Sequence, residues 1–187
     1  MAASRASRVF NRIDQLEYRW CQQFNRSLDF PLVTGGFRII SWLGNGWFWY
    51  ALILALPLYY GLAGWKLAAV MTLTGIACTI LYKLLKTALV RERPFISFPV
   101  IRCATPPLDR YSFPSGHSLH AVCFNLLLLG YLPLLGWLIV PFTISVLASR
   151  VVLGLHYPSD VVVGSLIGAA CALIALHLSG GALMMAL

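Results

Sequence analysis

Long apolar stretches, separated by short polar segments, dominate the chain from residue 46 onward. A bilayer core about 30 Å thick is spanned by roughly 20 apolar residues in a helix. Five stretches approach this length and predict membrane-crossing helices near residues 46–62, 67–86, 117–135, 136–154 and 160–179. Tryptophan and tyrosine flank the first stretch on both sides, as is typical of a membrane–water interface. The pattern therefore predicts an all-α, integral membrane helical bundle.

The N-terminal 30 residues follow a different pattern. Apolar residues recur there at spacings of three and four: Val9, Ile13, Leu16, Trp20 and Phe24. Because arginines fall between them, we expect an amphipathic helix that lies on the membrane surface. This divides the chain into an interfacial arm, 1–30, and a membrane-embedded domain, 31–187. Residues 30–44 stay ambiguous, since a glycine pair and Arg38 argue against a full crossing, so we expect five to six transmembrane helices.

Five crossings would gather the polar segments at one membrane face. The loops 87–116 and 155–159 would then lie on the same side of the membrane. The other two connections, near residues 63–66 and 135–136, are very short. Any chemistry is therefore expected at the face that carries the two polar loops.

Composition and charge agree with a membrane protein. The 187 residues are 59% hydrophobic and 11% charged, whereas soluble domains carry roughly 25% charged residues. The net charge of +8 concentrates in the N-terminal arm and around the loop 87–116. Contact with anionic lipid head groups or with a phosphorylated substrate explains this charge, and we expect no nucleic-acid partner. The five cysteines show no paired spacing that would indicate a metal site.

The first polar cluster is KTALVRERP, which contains Lys86 and Arg93. These residues are seven apart, so on a continuing helix they would lie on one side, about 10 Å apart along the axis. The alternative is that basic side chains at a helix end merely extend toward the membrane surface.

The second cluster is PSGH, residues 114–117, at the start of an apolar run. Free N–H groups at a helix start bind anions, and Gly116 allows a ligand to approach the backbone. The alternative is an ordinary helix cap by Ser115.

The third cluster is SRVVLGLHYPSD, with Arg150, His156 and Asp160. A charge inside a membrane span is costly and indicates function by default. A carboxylate bonded to one imidazole nitrogen leaves the other nitrogen free, which prepares a nucleophilic or basic histidine. Alternatively, Asp160 stabilises the first turn of the last helix, and both roles are compatible.

Together the clusters place two histidines, one aspartate and three cations at one face. Cations of this kind bind phosphate oxygens and stabilise charge in a phosphoryl-transfer transition state. The absence of a carboxylate cluster in the sequence argues against a two-metal mechanism, so we expect no metal and no other cofactor.

The chain resembles the type 2 phosphatidic acid phosphatase family, which includes bacterial undecaprenyl pyrophosphate phosphatases and phosphatidylglycerophosphate phosphatases. The family signature is Lys, six residues, Arg-Pro; then Pro-Ser-Gly-His; then Ser-Arg, five residues, His, three residues, Asp. Every position is matched here, from Lys86 to Asp160.

The resemblance implies roles for eight of the signature residues. His156 would attack phosphorus, Asp160 would orient it, and His117 would protonate the leaving oxygen and later activate water. The phosphate oxygens would be held by five further residues: Lys86, Arg93, Ser115, Gly116 and Arg150. His120 lies outside the signature, and we expect it to be a packing residue.

We therefore expect a lipid phosphatase acting on an undecaprenyl pyrophosphate, phosphatidylglycerophosphate or phosphatidate type of substrate, with membrane lipids as its surroundings and no obligate protein partner. The alternatives are a lipid A phosphatase or lipid phosphotransferase with the same site, and a non-catalytic lipid-binding or transport protein. The expected location is the bacterial inner membrane. The arginine-rich arm favours a cytoplasmic active face, whereas the family resemblance favours an outward one.

Overall fold

The computed structural model describes residues 5–180, which form helices and connecting loops with no strand in that range. This confirms the all-α prediction, while residues 1–4 and 181–187 of the two predicted domains lie outside the described part. The helices are α1 Arg5–Asn25, α2 Pro31–Trp42, α3 Phe48–Ala88, α4 Pro94–Ser97, α5 Gly116–Tyr131, α6 Pro133–Val152 and α7 Pro158–Ser179. Short irregular helical turns, Arg26–Asp29 and Leu43–Trp47, join α1 to α2 and α2 to α3.

The segment from α2 to the end of α3 is a kinked helical hairpin. The chain bends at Gly46, with φ of 125°, and reverses at Gly61, with φ of 55°. Only glycine adopts such left-handed backbone angles readily. The reversal brings the two arms into contact, because a Cβ atom on Gly64 would lie 2.1 Å from the carbonyl oxygen of Leu56.

The residues 30–44, ambiguous in the sequence, form α2 and the first part of the turn that joins α2 to α3. The number of membrane crossings stays a prediction. The predicted ends of the helices were wrong at two connections. The first reversal lies at Gly61 instead of 63–66, and the turn between α5 and α6 lies at Leu132 instead of 135–136, because Pro133 starts α6. Proline favours the first helical turn, where its missing N–H costs nothing.

Within residues 5–180, three helical segments are long and apolar enough to cross a membrane: Pro31–Ala88, Pro133–Val152 and Pro158–Ser179. The first of them contains the reversal at Gly61. α5 has only 16 residues and is the central helix, with Leu119, Ala121 and Leu127 fully buried. Large apolar side chains such as Leu58, Leu62 and Leu138 are exposed on the outside of the bundle, as expected for contact with lipid.

α1 packs on the bundle through its polar side. Asp14, Cys21 and Asn25 are buried, whereas Leu16 and Trp20 are exposed. The side-chain amide of Asn25 donates to the carbonyl oxygens of residues 102 and 152, at 2.9 and 3.0 Å. The predicted amphipathic helix is therefore present with its apolar side outward, and its contact with lipid stays a prediction. The side chain of Val9 lies outside the described part.

Candidate active site

A cavity of about 620 Å³ lies between the two arms of α3 and α5. Its polar end is lined by six of the eight predicted site residues: Lys86, Arg93, Gly116, His117, Arg150 and His156. The other two, Ser115 and Asp160, are buried behind this lining. The structure thus brings the three sequence clusters together around one cavity.

The side chains of Lys86 and Arg93 meet, but not on one helix. α3 ends at Ala88, close to the predicted helix end near residue 86, and Arg93 lies in extended backbone before Pro94. The condition of a continuing helix between Lys86 and Arg93 is therefore not met. Both cations instead bind Oδ1 of Asp109, with distances of 2.6 Å from Nζ of Lys86 and 2.7 Å from Nη2 of Arg93. Burial alone would raise the pKa of Asp109, but the two cations outweigh burial and lower it.

His156 lies in the loop between α6 and α7 and is buried. Nη1 of Arg93 lies 3.3 Å from its Nε2 atom and donates to the carbonyl oxygen of Leu155 at 2.8 Å. Because a guanidinium only donates, Nε2 faces it with a lone pair, and the imidazole proton belongs on Nδ1. Burial, together with the charges of Arg93 and Arg150, holds the pKa of His156 well below its ordinary value. These effects favour the neutral form of the imidazole.

Asp160 is fully buried at the start of α7. Its Oδ2 atom accepts from the backbone N–H of Tyr157 at 2.9 Å and lies 3.5 Å from Nδ1 of His156. The latter distance exceeds that of an ordinary hydrogen bond, and within residues 5–180 Nδ1 has no bonded partner. Asp160 thus caps the first turn of α7 and also faces His156, which combines the two alternatives drawn from the sequence.

The start of α5 carries Ser115, Gly116 and His117. The Ser115 hydroxyl accepts from the N–H of Ser118 at 3.4 Å and from its hydroxyl at 2.8 Å, so it caps the helix. A Cβ atom on Gly116 would meet only the Tyr82 ring at 3.5 Å, an ordinary contact, so the packing itself does not require glycine there. Nε2 of His117 lies 2.5 Å from Oδ1 of Asn45.

Arg150 reaches the cavity from the last turn of α6. Its Nη1 donates to the hydroxyl of Ser41 at 2.6 Å. Its Nε–H is buried and has no hydrogen-bond partner among the residues that the structure describes. A buried donor without a partner costs free energy, which an oxygen atom of a bound ligand would recover.

Residues 63–182 match the family model of the PAP2 superfamily. The chain belongs to the PAP2 superfamily. This confirms the resemblance to type 2 phosphatidic acid phosphatases that the signature motifs indicated.

Two curated relatives of this PAP2 protein are informative. The decaprenylphosphoryl-5-phosphoribose phosphatase of Mycobacterium tuberculosis is 33% identical over 82% of this chain and 85% of its own length. The undecaprenyl-diphosphatase BcrC of Bacillus subtilis is 34% identical over 63% of this chain and 61% of its own length.

Two crystal structures share the PAP2 fold of this chain. Aquifex aeolicus LpxE has a TM-score of 0.73 and 26% identity, and the match covers 87% of this chain and 95% of LpxE. A PAP2-type phosphatidylglycerolphosphate phosphatase from Bacillus subtilis has a TM-score of 0.75 and 24% identity, with coverage of 91% and 87%. The second likeness establishes the fold alone.

The PAP2 signature does not include four residues that contact it here: Ser41, Asn45, Arg91 and Asp109. Ser41 and Asn45 lie on the ambiguous segment and the bend that follows it. The sequence marked Arg91 only as one of several basic residues around a loop. His120 contacts the carbonyl oxygen of Gly116 and the hydroxyl of Thr79 and also lines the cavity.

Proposed function

We propose that this protein is a membrane lipid phosphatase that hydrolyses a lipid phosphate monoester or pyrophosphate. One observation carries the proposal: the imidazole of His156 faces the same cavity as three cationic side chains, Lys86, Arg93 and Arg150. A nucleophile needs its lone pair, and a phosphoryl group needs fixed positive charge around its oxygens.

In the proposed first step, Nε2 of His156 attacks phosphorus and forms a P–N bond. The P–O bond to the lipid breaks, and His117, which takes up a proton when the anionic phosphate binds, donates that proton to the departing oxygen. The charges of Lys86, Arg93 and Arg150 stabilise the equatorial oxygens, and the backbone N–H of Gly116 adds a donor at the helix start. Asp160 offsets the positive charge that develops on His156.

In the proposed second step, water attacks the phosphohistidine. His117, now neutral, takes a proton from that water as the new P–O bond forms. The P–N bond breaks, its electron pair returns to Nε2 of His156, and inorganic phosphate leaves. The site returns to its starting state without a metal or other cofactor.

The cavity supports a substrate with a long apolar tail. Beyond its polar end the lining is mainly apolar, with Trp49, Ile53, Met71, Ile76 and Phe124 among its members. Both curated relatives named above carry polyprenyl substrates in their names, which favours a polyprenyl carrier such as undecaprenyl pyrophosphate. Phosphatidylglycerophosphate and phosphatidate are the other candidates.

The test is phosphate release in detergent from a panel of polyprenyl and glycerolipid phosphates, with a chelator present. We expect the wild type to release phosphate. In His156→Ala the rate of release should fall more than about 10³-fold, because the nucleophile is absent. His177→Ala, an exposed histidine at the far end of α7, is the matched control and should keep full activity. Wild type without release, or His156→Ala with undiminished release, would contradict the proposal.

The same experiment addresses the alternatives. Transfer of phosphate to a second lipid instead of water would indicate a phosphotransferase, and release only from lipid A would indicate a lipid A phosphatase. Binding of lipid without release would indicate a non-catalytic protein.

We further propose a location in the bacterial inner membrane with the active face outward, on the strength of the family resemblance.

A further inference from the structure

A buried guanidinium, that of Arg91, lies behind Asp160 on the side away from the cavity. Its Nη1 atom donates to Oδ1 of Asp160 at 2.5 Å, and the two side chains are 1% and 0% exposed. Its Nε and Nη2 atoms donate to Oδ1 of Asp14 at 2.9 and 2.7 Å. Nη2 also donates to Oε2 of Glu17 at 2.9 Å. One guanidinium therefore joins a carboxylate of the site to two carboxylates of α1.

The second carboxylate of α1 also binds the start of α7. Glu17 accepts from the backbone N–H of Ser159 at 2.7 Å and from its hydroxyl at 2.6 Å. The hydroxyl of Ser159 in turn accepts from Nη1 of Arg91 at 2.8 Å. α1 thereby contacts both the residue before Asp160 and the arginine that binds Asp160.

The charges in this group explain why Arg91 stays ionised. Burial would lower the pKa of Arg91, but the carboxylates of Asp160 and Asp14 outweigh burial and raise it. The ring of Tyr157 adds a cation–π contact at 4.1 Å from the guanidinium carbon. A buried carboxylate such as Asp160 needs a charged partner of this kind.

We propose that Arg91, held by Asp14 and Glu17 of α1, is a positioning residue that orients the carboxylate of Asp160 toward His156. The inference rests on the proposed phosphatase function and deepens it, since it makes the N-terminal helix part of the site. With Oδ1 held by Arg91 and Oδ2 held by the N–H of Tyr157, the carboxylate has a fixed rotation. Oδ2 then stays opposite Nδ1 of His156 as that ring becomes positively charged.

The role predicts an effect on kcat rather than on substrate binding. Arg91→Gln removes the positive charge and most of the N–H donors of the guanidinium. We expect kcat to fall about 10- to 100-fold, as when an outer hydrogen-bond partner of a functional side chain is lost. KM and the inhibition constant of inorganic phosphate should stay within about twofold, because Lys86, Arg93 and Arg150 are untouched. Arg91→Lys, which keeps the charge, should recover part of the loss.

Glu17→Gln tests the contribution of α1. We expect a fall in kcat of about three- to tenfold, because one charged acceptor is lost while the side chain keeps its size. In the double variant with Arg91→Gln, kcat should be little lower than in Arg91→Gln alone, because the two side chains act on Asp160 through the same contact. The controls are Arg19→Gln, on the exposed side of α1, and Glu92→Gln, an exposed carboxylate on the same loop as Arg91.

All variants are assayed in detergent with the lipid that the wild type hydrolyses best, and their thermal unfolding is recorded alongside. Equal kcat in wild type and Arg91→Gln, or losses equally large in the two controls, would overturn the inference while the phosphatase function stands. A loss that appears in KM and phosphate inhibition instead of kcat would also overturn it. No release by the wild type would overturn the phosphatase function and this inference with it. If Arg91→Gln does not fold, Arg91→Lys and Glu17→Gln decide by the same criteria.

Discussion

Asp109 places a carboxylate between the two basic side chains that we expect to bind the substrate phosphate. Its Oδ1 atom accepts from Lys86 and Arg93, and its backbone oxygen accepts from Nη2 of Arg93 at 3.0 Å. Since a phosphate oxygen needs the same donors, we expect the carboxylate and the substrate to compete for them. Asp109 is one-third exposed and lies on the loop between α4 and α5.

Replacing Asp109 by Asn tests this competition. We expect inorganic phosphate to inhibit the Asp109→Asn variant at about three- to tenfold lower concentration, because a partly exposed ion pair contributes roughly 1 kcal/mol. Inhibition curves of lipid phosphate hydrolysis provide the measurement. Asp29→Asn, which disrupts an exposed pair with Arg102, is the control. Weaker inhibition in Asp109→Asn would instead show that the carboxylate holds the two cations in place.

At the scale of the helices, the site depends on close contact between α5 and α7. A Cβ atom on Gly168 would lie 2.2 Å from the carbonyl oxygen of Leu119, so the two backbones touch there. The N–H of Ser115 donates to the carbonyl oxygen of Asp160 at 3.1 Å and joins the same two helices. Small residues allow membrane helices to approach in this way. This contact sets the distance between the segments that carry His117 and His156.

Gly168→Ala should therefore weaken both stability and activity. The added methyl group must push α7 away from α5, and overpacking of this kind costs about 1–3 kcal/mol. We expect a lower melting temperature in detergent and a lower kcat. Gly36→Ala is the matched control in α2, where a Cβ atom would have no neighbour within 4 Å. An unchanged melting temperature of Gly168→Ala would show that α7 can shift away from α5 without loss of stability, which would contradict this prediction.

For the molecule as a whole, α1 and the active site lie at the same end of the bundle, and α7 leads away from them. α7 begins beside the site and has 22 residues, a length of about 33 Å. Its far end meets the far end of α5, where the hydroxyl of Tyr131 lies 2.6 Å from that of Ser179. We therefore expect α1 and the site to lie on one side of the membrane, and the end of α7 on the other.

Cys103 makes this arrangement testable. It is exposed in the loop at the active end, while the other four cysteines are buried or half-buried. We expect a membrane-impermeant maleimide to label Cys103 in intact cells. A reporter protein fused to the C-terminus should be located in the cytoplasm. Cys103→Ser should abolish the labelling. Labelling only after lysis would contradict the outward orientation, and label and reporter on the same side would contradict the topology.

The sequence by itself determined the membrane class, the all-α fold, the family and the identity of the eight candidate site residues. These properties are local, since apolar runs of a certain length and motifs of fixed spacing are visible without knowing which segments meet. The reversal of α3 at Gly61 and the ends of α5 and α6 were predicted only to within a few residues, because backbone angles at single positions decide them.

Only the tertiary structure decided how the site is supported. Arg91 lies 69 residues from Asp160, and Asn45 lies 72 residues from His117. The acidic side of α1 faces inward to Arg91, although its sequence pattern indicated only a surface helix with its apolar side toward lipid. Contacts over such separations depend on how the helices pack against one another, and the periodicity of a single helix carries no information about its neighbours.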